Sequence, residues 1–282
     1  MKPDPRFLNQ PKHFWANVRS VSQHLGYTAR GKGQILVPTL DVIVTALGEL
    51  ELGVGHIVGK DGKATVMGES LVAYFAHRAD LLNRFVEPRL MNAEQAAAAF
   101  KRVAKATKSK LPVPMNKQKE DKKKPAYLTA IVNMLIHANI GSLECDYDPR
   151  ELTTFTHMSA PLRTLARRVD GAFPSAKNPI AVWEIKEYYY TTTFGSRVAD
   201  GVYETLLDGM ELEELRQSEK VDCKHYLMID ARYTWWDCGR SYPCRIVDML
   251  HMGYVDEVLV GTEVPDRMPA LAQEWVELLK RK

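Results

Sequence analysis

The chain has no apolar run long enough to cross a membrane. The longest lie within AYLTAIVNMLIHANI, short of the roughly 20 residues a spanning helix needs. The N-terminus, MKPDPRFLNQPKHF, carries no apolar segment of the secretory kind, so a cytoplasmic protein with no membrane partner is expected. Cysteine is scarce: Cys145, Cys223, Cys238 and Cys244 form no CxxC pair, and no histidine stands at zinc-finger spacing from them. That excludes a zinc ribbon or finger and, without a secretion signal, favours reduced thiols over disulfides. There is no GxSxG elbow, no HExxH, and no two of the 8 histidines stand at i and i+2 or i and i+4. The stretch GVGHIVGKDG fails as a phosphate-binding loop, because Val54 replaces the first glycine and Asp61 replaces the Ser/Thr that would meet magnesium. No internal repeat is present.

What is present is enough for a sizeable core. A length of 282 residues with 45% hydrophobic and 26% charged residues fits one large domain or two modest ones. The net charge of +3 is unevenly spread. From Lys101 to Lys124, ten Lys/Arg face Glu120 and Asp121, a local net of +8, which suits a polyanionic partner; an ordinary solvated surface is the alternative. From Glu204 to Glu219, six acids face Arg216, a local net of −5.

Periodicity divides the chain into a mainly helical region at 1–110, a Pro- and Lys-rich loop or linker at 111–125, and a mixed domain at 126–282. In the first region, helices are expected over 12–25, after Thr39, over 69–87 and after Asn92, with a hairpin in the glycine-rich stretch turning at Asp61-Gly62. After a helix at 126–140, the order reads strand (TLARRVDGAF), strand (PIAVWEIKEYYY), helix, strand (KHYLMIDARYTWW), helix, strand, helix. That order predicts an α/β fold with some parallel pairing.

The chemically informative stretch is VDGAFPSAKNPIAVWEIKEYYY. Side chains alternate along a strand, so Glu184 and Lys186 share one face while Trp183 and Ile185 share the other. Asn178-Pro179 is a turn signal, and pairing of the two strands brings Asp170 towards Glu184. Two carboxylates, with the Ile185 carbonyl as a further ligand, suit Mg²⁺, a hard cation that takes oxygen ligands and substrate phosphate. A metal so held lowers the pKa of a bound water and offsets charge on a pentavalent phosphate, and Lys186 can orient that water or meet the developing charge. Glu187, on the face opposite Glu184, is expected at the surface. The competing reading is a surface ion pair on an edge strand, Glu184 with Lys186 or Arg168.

The spacing Asp170, thirteen residues, Glu184-Ile185-Lys186 resembles the PD-(D/E)XK nuclease superfamily, the fold of many type II restriction endonucleases. The strand–strand–helix–strand order around it matches that family's core, over about residues 150–262; Val169 stands where the family name has proline. The resemblance implies a restriction-endonuclease-like mixed β-sheet flanked by helices, with Asp170, Glu184 and Lys186 catalytic and Asp170, Glu184 and Ile185 on Mg²⁺. It further implies double-stranded DNA as partner, a homodimer, and an extra acid in some members, for which Glu144 and Glu151 are candidates. DNA contacts are expected from Arg30 and Lys32 in a glycine-flanked loop, from Lys117, Lys119, Lys122, Lys123 and Lys124, and from Ser196 and Arg197 with Thr191–Thr193 where the strand turns into the next helix. Tyr188–Tyr190 offer rings for stacking. The expected function is a Mg²⁺-dependent DNA endonuclease of the sequence-specific restriction kind. The rivals are a repair or junction nuclease, a non-cleaving DNA-binding protein, and a scaffold that meets protein partners through its acidic helix.

Overall fold

Thr39, Thr65 and Asn92 set where three of the helices begin, because each side chain accepts a hydrogen bond from an amide in the first turn that would otherwise lack a partner. Asn92 and Gln95 form a reciprocal capping box. The structure, a computed structural model, describes residues 1–29, 33–116, 124–190 and 195–281. Arg30, Lys32, Lys117, Lys119, Lys122, Lys123 and Thr191–Thr193 lie outside them.

The helices of the first half are α1 (Pro5–Leu8), α2 (Lys12–Leu25), α3 (Leu40–Glu49), α4 (Val66–Leu81), α5 (Glu87–Arg89) and α6 (Ala93–Thr107). The expected glycine-rich hairpin shrinks to a single antiparallel bridge, Val58 to Ala64, because Thr65 already caps α4. Phe14, Trp15, Val18, Ile43, Leu47, Leu71 and Tyr74 close a core among α2, α3 and α4. Helix α6, expected with this region, packs instead on α7 (Tyr127–Asn139): Ala96, Ala99 and Val103 face Leu128, Ile131 and Leu135 in the core that also holds Trp183.

The second half adds a hairpin, β1 (Thr154–His157) and β2 (Ala160–Thr164), that the sequence reading did not foresee. The main sheet has four strands in the order β3 (Gly171–Phe173), β4 (Ala181–Glu187), β5 (Lys224–Asp230), β6 (Glu257–Val260). Strand β3 is antiparallel to β4, and β4, β5 and β6 are parallel. The connections are α8 (Ser196–Glu219) and α9 (Ser241–His251), and α10 (Val264–Lys280) closes the fold. TLARRVDGAF is not one strand: β2 ends at Thr164 and pairing resumes at Gly171, so Arg167, Arg168 and Asp170 sit on irregular backbone. Residues 233–236, expected to continue β5, lie instead in a helical turn, Tyr233–Cys238.

Alternation sorts the sheet into two faces. Trp183, Ile185, Tyr226, Met228 and Leu259 pack under α7 and α10, with Trp183 stacked on Trp275 at 5.2 Å. Leu227, Ile229, Val258 and Val260 pack with α8 and α9 through Val198, Val202, Val247 and Leu250. The result is an α/β protein with a mixed sheet between two helical layers. Gly171 is required for packing: opposite Trp183, a Cβ there would stand 2.1 Å from the indole.

The helical first half is joined to α9 by a buried polar contact. Arg78, 1% exposed, donates to both Asp248 oxygens at 3.1 Å, and the Tyr74 hydroxyl donates to Asp248 at 2.5 Å. Replacing one partner of such a pair strands the other charge away from water. Asp248→Ala is therefore expected to lower stability by about 3–5 kcal/mol, read as a fall in the chemical denaturation midpoint, with the far-UV spectrum of the folded state retained.

Candidate active site

Glu184 and Lys186 leave β4 on its α8 side, as alternation requires. Glu184 is 0% exposed and Lys186 is 9% exposed, so the pair is not a surface ion pair, and β4 lies inside the sheet, not at its edge. Lys186 Nζ stands 2.6 Å from Glu184 Oε2 and 2.8 Å from Glu204 Oε2 on α8. Room for the lysine comes from Gly201, one turn earlier on α8, where a Cβ would fall 3.2 Å from Lys186 Cδ and 2.6 Å from the Tyr188 hydroxyl.

Asp170 joins this pair through the backbone. Its amide donates to Glu184 Oε1 at 3.1 Å, and its Oδ2 accepts from the Ile185 amide at 2.8 Å. Asp170, Glu184, Ile185 and Lys186 are thus brought together, as expected. Asp170 also lines a cavity of about 270 Å³ with Ile185, Glu187, Asp148, Tyr188 and Arg197. Asp148, itself exposed, lines this cavity; Glu144 and Glu151 are exposed and do not line it.

Two further acids and an arginine were missed. Arg167 Nη1 lies 2.9 Å from Glu184 Oε1 and 2.5 Å from Asp208 Oδ2, and its Nη2 lies 3.1 Å from Glu184 Oε2 and 3.4 Å from Glu204. Arg167, not Arg168, is the arginine on Glu184. Glu204 and Asp208 stand at i and i+4 on α8, so the acidic helix turns one face into the sheet, while Glu214 and Glu211 on it meet Arg163 at 2.7 and 3.9 Å. The only signal in the sequence was that i, i+4 spacing, which gives a common face but no depth.

Burial and charge together fix the protonation states. Burial alone would raise Glu184, but the Lys186 ammonium and the Arg167 guanidinium hold it below its ordinary value. Burial alone would lower Lys186, but Glu184, Asp170 and Glu204 raise it, so it stays an ammonium at any physiological pH. Asp208, 0% exposed, is pushed up to about 7 by burial and by the nearby Glu184 charge, against the pull of Arg167. Its Oδ1 has no hydrogen-bond partner among the described residues.

Glu187 is not a free surface residue. Its carboxylate accepts from the Leu128 amide at 2.9 Å, the Thr129 amide at 3.3 Å and the Thr129 hydroxyl at 2.7 Å, closing the N-terminus of α7. Burial raises its pKa despite these donors. Tyr188 donates to the Arg197 carbonyl, Tyr189 to Asp230, and Tyr190 to the Pro125 carbonyl, so all three tyrosines are engaged within the fold. Arg197 and Ser196 are exposed at the start of α8, whose capping residue is Gly195, with no side-chain cap bond. Lys124 Nζ lies 4.7 Å from the centre of the Tyr190 ring.

Fold and site together define an α/β protein with a buried carboxylate–cation cluster on one face of a mixed sheet. Residues 91–275 match a family described as a domain of unknown function (DUF7687), more than half of the chain, and the chain belongs to that family. Residues 1–85 match a second domain of unknown function (DUF7690). Neither a search of curated proteins nor a search of solved structures found a match.

Asp208 yields a pH prediction. Its folded-state pKa of about 7 lies above the ordinary value of 3.8, so between those values the folded chain binds the proton and the unfolded chain does not. Stability from this group therefore falls as pH rises from about 4 to 7 and is level above. The stability of wild type relative to Asp208→Asn should decline across that window in denaturation series at several pH values; a difference independent of pH would show that Asp208 is ionised throughout.

Proposed function

We propose that the protein is a Mg²⁺-dependent DNA endonuclease that hydrolyses phosphodiester bonds, of the sequence-specific type II restriction kind. The observation that carries this reading is the convergence of Asp170, just before β3, with Glu184 and Lys186 on β4, with the Ile185 backbone between them. The order α7, antiparallel β3–β4, α8, parallel β5 supports the restriction-endonuclease-like core that the motif implied.

The donor set fits the metal in kind. Two carboxylates and a carbonyl are the sparse, hard-oxygen set that Mg²⁺ accepts, because it keeps several waters and takes substrate phosphate as well. No cage of three or more His, Cys, Asp or Glu occurs among the described residues. Asp170, Glu184 and the Ile185 carbonyl would hold the ion. When bound, it would supply a water of lowered pKa and offset charge on the phosphate. Arg167 already sits on both oxygens of Glu184 and Lys186 on one of them, so a metal ion must displace one of these cations or share their partner.

The chain's own groups have defined parts. Lys186 is held cationic, so it cannot accept a proton; it orients an attacking water or meets charge that develops on the phosphate. Arg197, in the cavity with Asp170, and Lys124 near Tyr190 would present positive charge to a DNA backbone. A double-strand cut by one site per chain calls for two copies, so a homodimer belongs to this reading, with the helical first half as recognition or dimer surface.

A second reading is favoured by Arg167 itself. A cluster whose carboxylates are already matched by Arg167 and Lys186 is also what a non-cleaving DNA-binding protein would retain as structure. Incubating plasmid and linear DNA with pure protein and Mg²⁺ or EDTA separates the two. The endonuclease predicts discrete, metal-dependent fragments, with Lys186→Met slowing cleavage by roughly 10²-fold or more. The binding protein predicts salt-dependent DNA affinity with no product, unchanged by that substitution.

Arg167→Met tests the competition for Glu184. Without metal, the variant should lose about 3–5 kcal/mol, because buried Glu184 and Asp208 lose their guanidinium. Its melting temperature should then rise more with Mg²⁺ than that of wild type. An equal Mg²⁺ response in both would show that Arg167 and the metal do not compete.

A further inference from the structure

On the far side of α8 from the sheet-face cluster, a cavity of about 480 Å³ opens between α2, α8 and α9. This is within the range of small-ligand sites. Two arginines line it, Arg19 from α2 and Arg245 from α9. Neither has a carboxylate within ion-pair distance among the described residues. Asp248, also in the wall, is taken by Arg78 and Tyr74. Among the described residues, the hydrogen bond Arg19 donates is to the Met252 sulfur, at 3.4 Å.

Arg245 sits in a ring of tyrosines. Its guanidinium carbon lies 5.2 Å from the ring centre of Tyr27, 5.3 Å from Tyr242 and 5.9 Å from Tyr203, and it donates to the Tyr203 hydroxyl at 2.9 Å. Arg245 also engages the Tyr27 hydroxyl, but a guanidinium carries five donors, so it keeps capacity for an anion after both contacts. Tyr203 is 52% exposed, so a flat ring can still stack against it. Ser20 adds a hydroxyl to the same wall.

We propose that this cavity binds a nucleotide, with the phosphate held by Arg19 and Arg245 and the base stacked against the tyrosine wall. Two cations with no carboxylate in ion-pair reach among the described residues call for an anion, and Arg is well shaped for phosphate. The volume and the aromatic wall exceed what a bare phosphate or carboxylate would use. The nucleotide can be free, or one unit of a single strand. This inference does not depend on the endonuclease reading, since it uses none of Asp170, Glu184, Lys186 or Arg167.

The test is calorimetric titration of the full chain with four probes: adenosine 5′-monophosphate, adenosine, inorganic phosphate and a single-stranded deoxyadenosine decamer. The proteins are wild type, Arg245→Met, Arg19→Glu and Tyr203→Ala. Arg19 is exposed, so Arg19→Glu tests the site even if loss of Arg245 disturbs the fold, which circular dichroism and melting temperature report. Binding of the monophosphate, tighter than adenosine or phosphate alone and weakened at least about tenfold by Arg245→Met and Arg19→Glu, supports a free nucleotide. Binding of the decamer alone, with the same loss in both variants, supports a strand unit. No binding of either by wild type, or binding unchanged in both arginine variants, overturns the proposal and leaves the tyrosine ring as packing.

Discussion

Glu184 is completely buried on the α8 face of β4, and a carboxylate there must either take up a proton or be matched by cations brought to it. The protein takes the second course, and much of the local architecture follows from it. Lys186 reaches Glu184 from the same strand, two residues on, which costs no additional element. Arg167 reaches it from the irregular backbone between β2 and β3. The two cations in turn attract Glu204 and Asp208 from α8, so a helix that crosses between parallel strands is also tied to the sheet by charge. The close passage of α8 over Lys186, which Gly201 permits, goes with the burial of Glu184, Lys186 and Asp208, and burial is what makes disruption of their pairs costly.

The charges within the cluster are not shared evenly. Arg167 and Lys186 both favour ionised Glu184, and Asp208 is left as the weaker partner, with one oxygen on Arg167 and the other without a donor among the described residues. The carboxylates of the cluster come from a strand and a helix that apolar packing holds on either side. The opposite face of β4 behaves differently. Glu187 closes the N-terminus of α7 and draws that helix over the end of the strand, so the cavity beside Asp170 has an ordered wall.

The alternation of β4 was legible in the sequence: Trp183 and Ile185 go into one layer, Glu184 and Lys186 into the other, and both partitions hold. The caps at Thr39 and Asn92 were legible for the same reason, that a local pattern meets a local need. Arg167 was not, because its role arises from a long-range approach that no spacing encodes; beside it, Arg168 looked equivalent. The acidic run in α8 read as surface charge, since one sequence gives the face of a helix but not what covers it. The β1–β2 hairpin was hidden because its turn, Met158-Ser159, takes a left-handed conformation at both residues without the Asn or Gly that normally announces it. Tyr233–Cys238 misled through aromatic and β-branched content, which describes a buried residue as well as a strand.

Helix α9 shows how burial decides what a charge is for. Asp248 and Arg245 stand one turn apart on it, close to the same cavity. Asp248 faces Arg78 and Tyr74, both fully buried, and its bonds to them hold the helical first half against the mixed-sheet half. An acid so committed cannot also neutralise Arg245, which is left among rings that attract a cation but carry no net charge. The bond that unites the two halves therefore leaves Arg245 without a carboxylate partner among the described residues. An anionic ligand seated there would touch α2, α8 and α9 at once, and so would report on, and reinforce, the contact that created its site.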